Sequence, residues 1–566
     1  MTSPNFPEAA TSVPATPIAQ LDAAVDKVSA AKQRWVQTAI PQRLALLREC
    51  LNGVSQVAPE WVRAMCAIKG FSPEDNLAGE EWLVGPATTA RNIRLFIQAL
   101  SANGQPKPTS LTQRANGQYV ARVMPLDTTE KLVFAGFSAD IWIQPGKPAS
   151  QGKIYREPAT GPGAVSLVLG AGNVSSIPPM DFLYKLFVEN EVVVLKMNPV
   201  NAVVGPHLER AFKVLIDAGF LAIVYGGAEV GSHLANHPKV DTLHVTGSDR
   251  TYDAIVWGPD RAEAARRKAE NKPINSRPFT AELGCVTPVM VVPGDWNEGD
   301  LDFQARQVAS MVTQNASFNC NAAKVLVTAR GWNLREKFLE RVHKALASAA
   351  PRKAYYPGAS ERYRGFVEHY PNAQPLGAAE PGVVPWTVIP DVPAKHGEYA
   401  LTNEAFCGVL AEVALDASTP VEFLNAAVSF ANDDCWGTLS CMLIIDEASQ
   451  KRHAQEFDRA IEQLRYGGIG INAFSGMIYA AVAPTWGAFP GHPPTDIQSG
   501  AGVVHNALMF DYPQKSVLRA PFRIRPTPAW FYDHKNLKAL GQALLKAETS
   551  PGLGALFGLA LNGMRG

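Results

Sequence analysis

Val165-Ser-Leu-Val-Leu169, a stretch of helical spacing over Met180–Val188, and then Val192-Val-Val-Leu-Lys196 form the passage whose reading decides the fold. The alternation continues with Val204–Ala218 (helix), Ile223–Tyr225 (strand), Ala228–Asn236 (helix) and Thr242–Val245 (strand). Strands that alternate with helices imply βαβ units and a parallel sheet, because a parallel partner can be reached only through a crossover. Downstream the style repeats. Val289–Val292, Lys324–Thr328, Val409–Val413, Leu443–Ile445 and Gly468–Ile471 read as strands, and Leu334–Ala347 as a helix. Upstream, Leu21–Lys69 has helical spacing with Leu44, Leu46, Leu47 and Leu51 on one side, and Glu80–Leu100 reads as a second helix. Gln118–Pro158 alternates apolar and polar residues and ends in Pro/Gly-rich turns, the pattern of hairpin strands.

The chain has 566 residues, too many for one compact core, so two or three domains are expected. Lys+Arg and Asp+Glu balance at 52 each, which leaves no global positive field for a nucleic-acid backbone. Seven cysteines, an odd number with no CxxC pair, fit a reduced, cytoplasmic compartment. Residues 1–20, rich in Pro, Ala, Ser and Thr, read as a disordered tail and not a signal peptide. No apolar stretch is long enough to span a bilayer.

Two segments carry chemistry. Cys320 lies in Thr313-Gln-Asn-Ala-Ser-Phe-Asn-Cys-Asn-Ala-Ala-Lys-Val-Leu-Val327, where a helical stretch gives way to a β-rich run, and Glu282 lies in Ala281-Glu-Leu-Gly284. A thiol that forms a thioester and a carboxylate that activates water to hydrolyse it are the two needs of aldehyde oxidation. Leu169-Gly-Ala-Gly-Asn173 follows a strand. Its Asn can donate an amide N–H to a developing oxyanion, or merely brace its own turn. Lys196 ends a strand, where an open α/β sheet binds ligands; it can meet ribose hydroxyls or simply be solvated. Gly247 and Ser248 follow another strand and offer donors to a pyrophosphate, or an ordinary helix N-cap. Neither G-x-G-x-x-G nor a P-loop is present. His233 and His237, spaced i, i+4, lack a third ligand pattern and read as surface or core histidines, so no metal site is expected. The other six cysteines read as small buried hydrophobes.

Taken in order, these segments resemble the aldehyde dehydrogenase superfamily over roughly residues 20–520. Gly170-Ala-Gly-Asn173 stands at the family's Pro-Trp-Asn turn, and Leu195-Lys-Met-Asn-Pro199 at its Lys-Pro-Ser-Glu strand end. Tyr225-Gly-Gly-Ala-Glu-Val-Gly231, His237–Asp241 and Val245-Thr-Gly-Ser248 follow its cofactor stretch. Ala281-Glu-Leu-Gly284 is similar to its Glu-Leu-Gly-Gly, Phe318-Asn-Cys320 to its thiol segment, Asn403-Glu404-Ala-Phe406 to its Glu-Glu-Ile-Phe, and Gly468–Asn472 to its late strand. The resemblance implies an α/β fold of a Rossmann-type cofactor domain, an α/β catalytic domain and a small β oligomerisation arm. In this chain that means a cofactor domain over 21–281 with arm strands near 138–158, a catalytic domain over 282–495, the arm completed by 496–521, and a C-terminal extension over 522–566. It implies NAD or NADP as cofactor, an aldehyde as substrate, and a homodimer or homotetramer. Cys320 attacks the aldehyde, Asn173 and the Cys320 N–H stabilise the oxyanion, and Glu282 activates water. Lys196 and Glu404 hold the riboses, Phe406 packs on the nicotinamide side, and Gly227, Gly247 and Ser248 line the cofactor stretch.

Some positions depart from the family. Pro199 replaces a ribose-binding Glu, which opens the choice between NAD and NADP. Tyr252 stands where a second glycine is usual and is expected to crowd the phosphates. Gly172 replaces a Trp, Cys285 a Gly, and Cys407-Gly408 the usual Gly-Pro. Two alternatives stand beside aldehyde oxidation: a CoA-acylating enzyme or acyl-CoA reductase, and a non-catalytic binding or assembly member. Glu282 argues against the first and the Asn173, Glu282, Cys320 set against the second. In the extension, Leu537, Leu540, Leu544 and Leu545 fall at helical spacing and Leu553–Leu561 is nearly all apolar. Its few basic residues favour packing over a subunit surface or the substrate entrance above membrane contact, for an aldehyde that is itself a candidate hydrophobe.

Overall fold

The structure is a computed structural model and describes residues 7, 9, 12–157, 161–377 and 380–566. Much of the tail expected at 1–20 therefore lies outside the described residues, as does Pro158 at the end of the hairpin region. Thr16 is already anchored, exchanging hydrogen bonds with Tyr225, and a helix begins at Ile18.

Two sheets organise the chain. The smaller has the strand order Gly500–Ala501, Phe279–Glu282, Thr242–Thr246, Val165–Leu169, Val192–Lys196, Leu221–Val224. All its pairings are parallel except the first, as the βαβ alternation predicts. Its central strand Val165–Leu169 is buried at every position, because crossover helices cover both faces. The larger sheet runs Ser110–Gln113, Tyr119–Met124, Ser138–Ile143, Pro513–Arg519, Gly468–Ile471, Ser440–Ile444, Pro288–Val291, Val325–Ala329, Val409–Leu415, Trp386–Ile389, Gln374–Leu376. From Pro513–Arg519 to Trp386–Ile389 it is parallel. The three N-terminal strands join antiparallel at one side, so the expected arm is an extension of the catalytic sheet hung on Pro513–Arg519.

Several helical readings break where local chemistry demands it. Leu21–Lys69 is two helices, Ile18–Val36 and Ile40–Lys69. Glu80–Leu100 is interrupted by a π-turn at Leu83–Ala87, where Pro86 supplies no N–H for the regular ladder. Val204–Ala218 is broken at Phe212, whose backbone leaves the helical region. Gln118–Pro158 contains two strands, with short helices at Thr128–Val133 and Lys153–Arg156.

The extension folds as two helices, Leu537–Thr549 and Leu553–Gly563. The first crosses Ala78–Trp82 at close range. A Cβ on Gly79 would strike the Leu537 carbonyl, and one on Gly541 would lie 2.6 Å from Trp82 Cβ. The chain passes from the smaller to the larger sheet between Glu282 and Pro288, and the segment holding Cys320 leads into Val325–Ala329. The candidate site therefore lies at the junction of the two sheets.

Candidate active site

Helix Glu298–Thr313 starts in a reciprocal cap between Asn297 and Asp300 and ends at a turn of unusual backbone. Asn315, Ala316 and Ser317 have φ of 54°, 56° and 68°, three successive non-glycine residues in the left-handed region. Each costs roughly 1–3 kcal/mol and must be held by its surroundings. Asn315 provides the hold. Its amide donates to the carbonyls of Asn173 and Phe318 and to Asn319 Oδ1, while its Oδ1 accepts from Lys69 Nζ (2.7 Å) and Tyr355 OH (3.1 Å). Lys69, from Ile40–Lys69, is itself paired with buried Glu81 at 2.5 Å.

This turn delivers Cys320 to the junction. Cys320 is half-buried, whereas the other six cysteines are buried, as the sequence reading expected of them. Its carbonyl accepts from Thr287 Oγ1 (3.2 Å) and Lys324 Nζ (3.1 Å). Its thiol lines the same space as Glu282, which ends its strand, and as Trp486. Burial pushes the Glu282 carboxyl up to about 8, and Asp181 and Glu404 nearby add to the rise. Burial, then the Glu282 charge, hold the Cys320 thiol well above its usual range. Asn173 donates one amide N–H to the Phe318 carbonyl at 2.9 Å and lines the same space.

Two cavities meet at Asn173, Ile177, Glu282 and Cys320. The narrower one faces the carboxyl ends of the smaller sheet and adds Thr246, Gly247, Gly284, Tyr356, Glu404 and Phe406. Glu404 is buried, and its Oε1 lies 3.2 Å from Lys324 Nζ. The three ammonium protons are already directed at the carbonyls of Asn319, Cys320 and Ala322. Glu404 Oε1 thus has a counter-charge but no hydrogen-bond donor among the described residues, and the same is true of Glu282 Oε1 for donors. Gly284 leaves the room that Glu404 fills, since a Cβ there would collide with its carboxylate. Phe406, at φ 43°, packs on Tyr356 with centroids 5.1 Å apart and on Phe318 at 5.9 Å.

Of the residues expected to bind cofactor, Gly247, Glu404 and Phe406 share this cavity with the three expected catalytic residues. Lys196, Gly227 and Ser248 do not line it. Lys196 ends its strand beside Gly231, in the helix Ala228–Asn236 that Gly227 precedes as N-cap. The Ser248 hydroxyl accepts from Thr251 N–H as the N-cap of Asp249–Val256, the plainer of its two readings. Tyr252 points into the core, buried against Phe279 with centroids 4.8 Å apart, so its ring does not crowd the cavity. Gly172 and Asn198-Pro199 are matched departures. A Cβ on Gly172 would sit 2.7 Å from Asn198 Oδ1 and 2.8 Å from Val200 Cβ, so the Asn198 turn fills the space above that glycine. His233 bonds Asp22, and no described group of three His, Cys, Asp or Glu side chains is placed to hold a metal.

Lys324, Thr287, Trp486 and the Lys69–Asn315 pair were missed by sequence reasoning. Only Lys324 carried a signal, a lysine four residues after the thiol at the start of an apolar strand.

The aldehyde dehydrogenase family model matches residues 154–357. The gamma-glutamyl-gamma-aminobutyraldehyde dehydrogenase of Burkholderia cenocepacia J2315 superposes with a TM-score of 0.62 at 20% identity, over 90% of each chain. The NADP-dependent glyceraldehyde-3-phosphate dehydrogenase of Bacillus halodurans C-125, complexed with NADP, gives 0.60 at 15% identity, over 90% of this chain and 92% of that one. A mutant aldehyde dehydrogenase C of Pseudomonas syringae, complexed with NAD+ and octanal, gives 0.58 at 16% identity, over 90% of each chain. The matched segment spans both the Asn173 turn and the Cys320 segment, and over nine-tenths of its length the chain has the same two-sheet fold as these aldehyde dehydrogenases.

Proposed function

We propose that the chain oxidises an aldehyde to a carboxylate with NAD or NADP. One observation carries the reading: Cys320 and Glu282 stand together where two cavities meet and line both, so a thiol and its base can be approached from either cavity. The residues fit the cofactor. Glu404 Oε1 is a buried acceptor with no hydrogen-bond donor among the described residues, and a ribose hydroxyl would supply one. Phe406 and Thr246 would bracket the nicotinamide end, with Lys196, Gly227, Gly247 and Ser248 toward the rest of the dinucleotide. When bound, the cofactor supplies the hydride acceptor.

Cys320 adds to the aldehyde carbon as its thiol proton passes to Glu282. The second N–H of Asn173, whose first is committed to Phe318, and the Cys320 backbone N–H meet the oxygen on which charge develops. The thioester left on Cys320 is then opened by water that Glu282 deprotonates. A carboxyl pushed up to about 8 suits a group that must take a proton and give it back near neutrality. Release by water, not coenzyme A, follows from this buried base beside the thiol. Pro199 offers no carboxylate to the adenosine ribose, so discrimination between NAD and NADP does not rest on that position.

The same reading makes the arm the joint between subunits, since its outer strand Ser110–Gln113 is exposed at every residue. Seven unpaired cysteines agree with a cytoplasmic setting. No described helix is long and apolar enough to cross a membrane.

The test follows cofactor reduction at saturating aldehyde. Cys320→Ser should abolish turnover while cofactor affinity is kept, because a serine hydroxyl is a far weaker nucleophile. Glu282→Gln should give a single burst of reduced cofactor and then stall. Loss of less than about tenfold for Cys320→Ser would overturn the assignment.

A further inference from the structure

The wider of the two cavities, about 430 Å³, extends from Cys320 to the C-terminal helices. Its volume is that of a small-molecule site, which typically measures about 300–1,000 Å³. Its walls are mainly apolar: Phe474, Met477 and Trp530 on one side, and Leu540, Leu544 and Leu559 from the C-terminal helices on the other. Away from Cys320 and Glu282, three described charged side chains line it: Arg525, exposed, and two in the buried wall that are neutralised in place. Glu80 pairs with Arg352 at 2.8 Å, and Arg91 pairs with Glu130 at 2.5 Å and Glu548 at 2.9 Å.

The same ion pairs show that the extension is built into this wall. Glu548, on Leu537–Thr549, is buried between Arg91 and Arg94 and bonded to both. With the close crossing at Gly79 and Gly541, this fixes the first helix against the body. The second helix, Leu553–Gly563, rests on a small core of its own, Ala547, Ala555 and Leu559. It lays Leu559, Ala560 and Gly563 along the cavity while its outer side exposes Leu553 and Phe557.

We propose that the C-terminal helices form the chain-binding half of the active site and that the substrate is an aldehyde carrying a long hydrocarbon chain. The inference rests on the aldehyde-oxidising reading of Cys320. It adds the chemical class of the substrate and the residues that select it. A polar or charged substrate tail would lose its water against these apolar walls and find Glu80 and Arg91 already paired; the remaining charged side chain away from Cys320, Arg525, is exposed to solvent. A hydrocarbon chain loses nothing and gains with each methylene.

The test uses the full-length protein and a straight-chain series from ethanal to decanal. kcat/KM should rise about fourfold per added methylene until the cavity is full, the increment expected from transfer of a CH2 out of water. In parallel, unreactive straight-chain amides are titrated calorimetrically into the Cys320→Ser protein, where affinity should follow the same slope. Leu559→Glu should flatten both slopes, and Met477→Trp, which fills the cavity from the opposite wall, should move the optimum to shorter chains should the first variant not fold. Phe557→Ser, on the outer side, should leave both slopes as they are. If ethanal is oxidised but neither kcat/KM nor amide affinity depends on length, the chain-binding proposal is overturned and the reaction stands. If the amides bind with the expected slope but no aldehyde is oxidised, the cavity assignment holds and the reaction reading falls.

Discussion

Burial raises the proton affinity of both Glu282 and Cys320; the Glu282 charge raises the thiol further, whereas the thiol favours the Glu282 carboxylate. Glu282 is needed as a carboxylate, and its carboxyl is pushed up to about 8. Below that value each pH unit cuts its ionised fraction about tenfold. Steady-state turnover should therefore climb from pH 6 to about 8 and level off above it. The neighbouring thiol favours the carboxylate, so acylation of Cys320 removes that influence and the limb for deacylation should lie higher than the limb for acylation. Stopped-flow measurement of the burst and the steady state across pH separates the two limbs. A rate independent of pH between 6 and 8 would show that Glu282 is not the base.

At the scale of elements, the site depends on loops crossing without side chains between them. Gly284 follows the strand Phe279–Glu282 and lies directly against the Glu404 carboxylate, which Lys324 fixes in place. Gly284→Ala should push Glu404 out of the cavity and weaken cofactor binding by at least about tenfold, or 1.4 kcal/mol, read by quenching of protein fluorescence on titration with NADH. Unchanged affinity would remove Glu404 from the ribose site. This element was legible in the sequence as Ala281-Glu-Leu-Gly284, and so were the strands of the smaller sheet, because apolar runs between helices leave few alternatives. The Asn173 turn, Glu282, Cys320 and Glu404 were found as segments, and the structure brings them to one cavity. What could not be read were contacts between residues far apart in sequence. Lys69 and Asn315 are separated by 246 positions, and nothing in either segment announces the other. The breaks at Pro86 and Phe212 were hidden because helical spacing persists across them. Ser248 was ambiguous in principle, since the same hydroxyl serves a helix cap or a ligand.

Across the whole molecule, the large sheet ends at one side in Gln374–Leu376 and at the other in Ser110–Gln113. The latter is exposed along its length, with Leu111 half open to solvent. Unpaired edges invite pairing with another chain, and this one lies at the far end of the arm. Thr112→Pro, which removes a backbone donor and stiffens the strand, should shift the protein toward monomer in light scattering if the arm joins subunits. An unaltered mass would place the interface elsewhere. These N-terminal strands are tied to the catalytic sheet through Pro513–Arg519, so they and the strand Gly468–Ile471 belong to one hydrogen-bonded sheet.

The left-handed run at Asn315–Ser317 has an evolutionary corollary. Glycine at Ala316 would relieve strain in the folded chain, so any selection for heat tolerance alone has an easy step open to it there. The same step would slacken the turn that sets the height of the Cys320 thiol. Stability and the positioning of the thiol therefore make opposite demands on this turn, and alanine at 316 accepts strain where glycine would not.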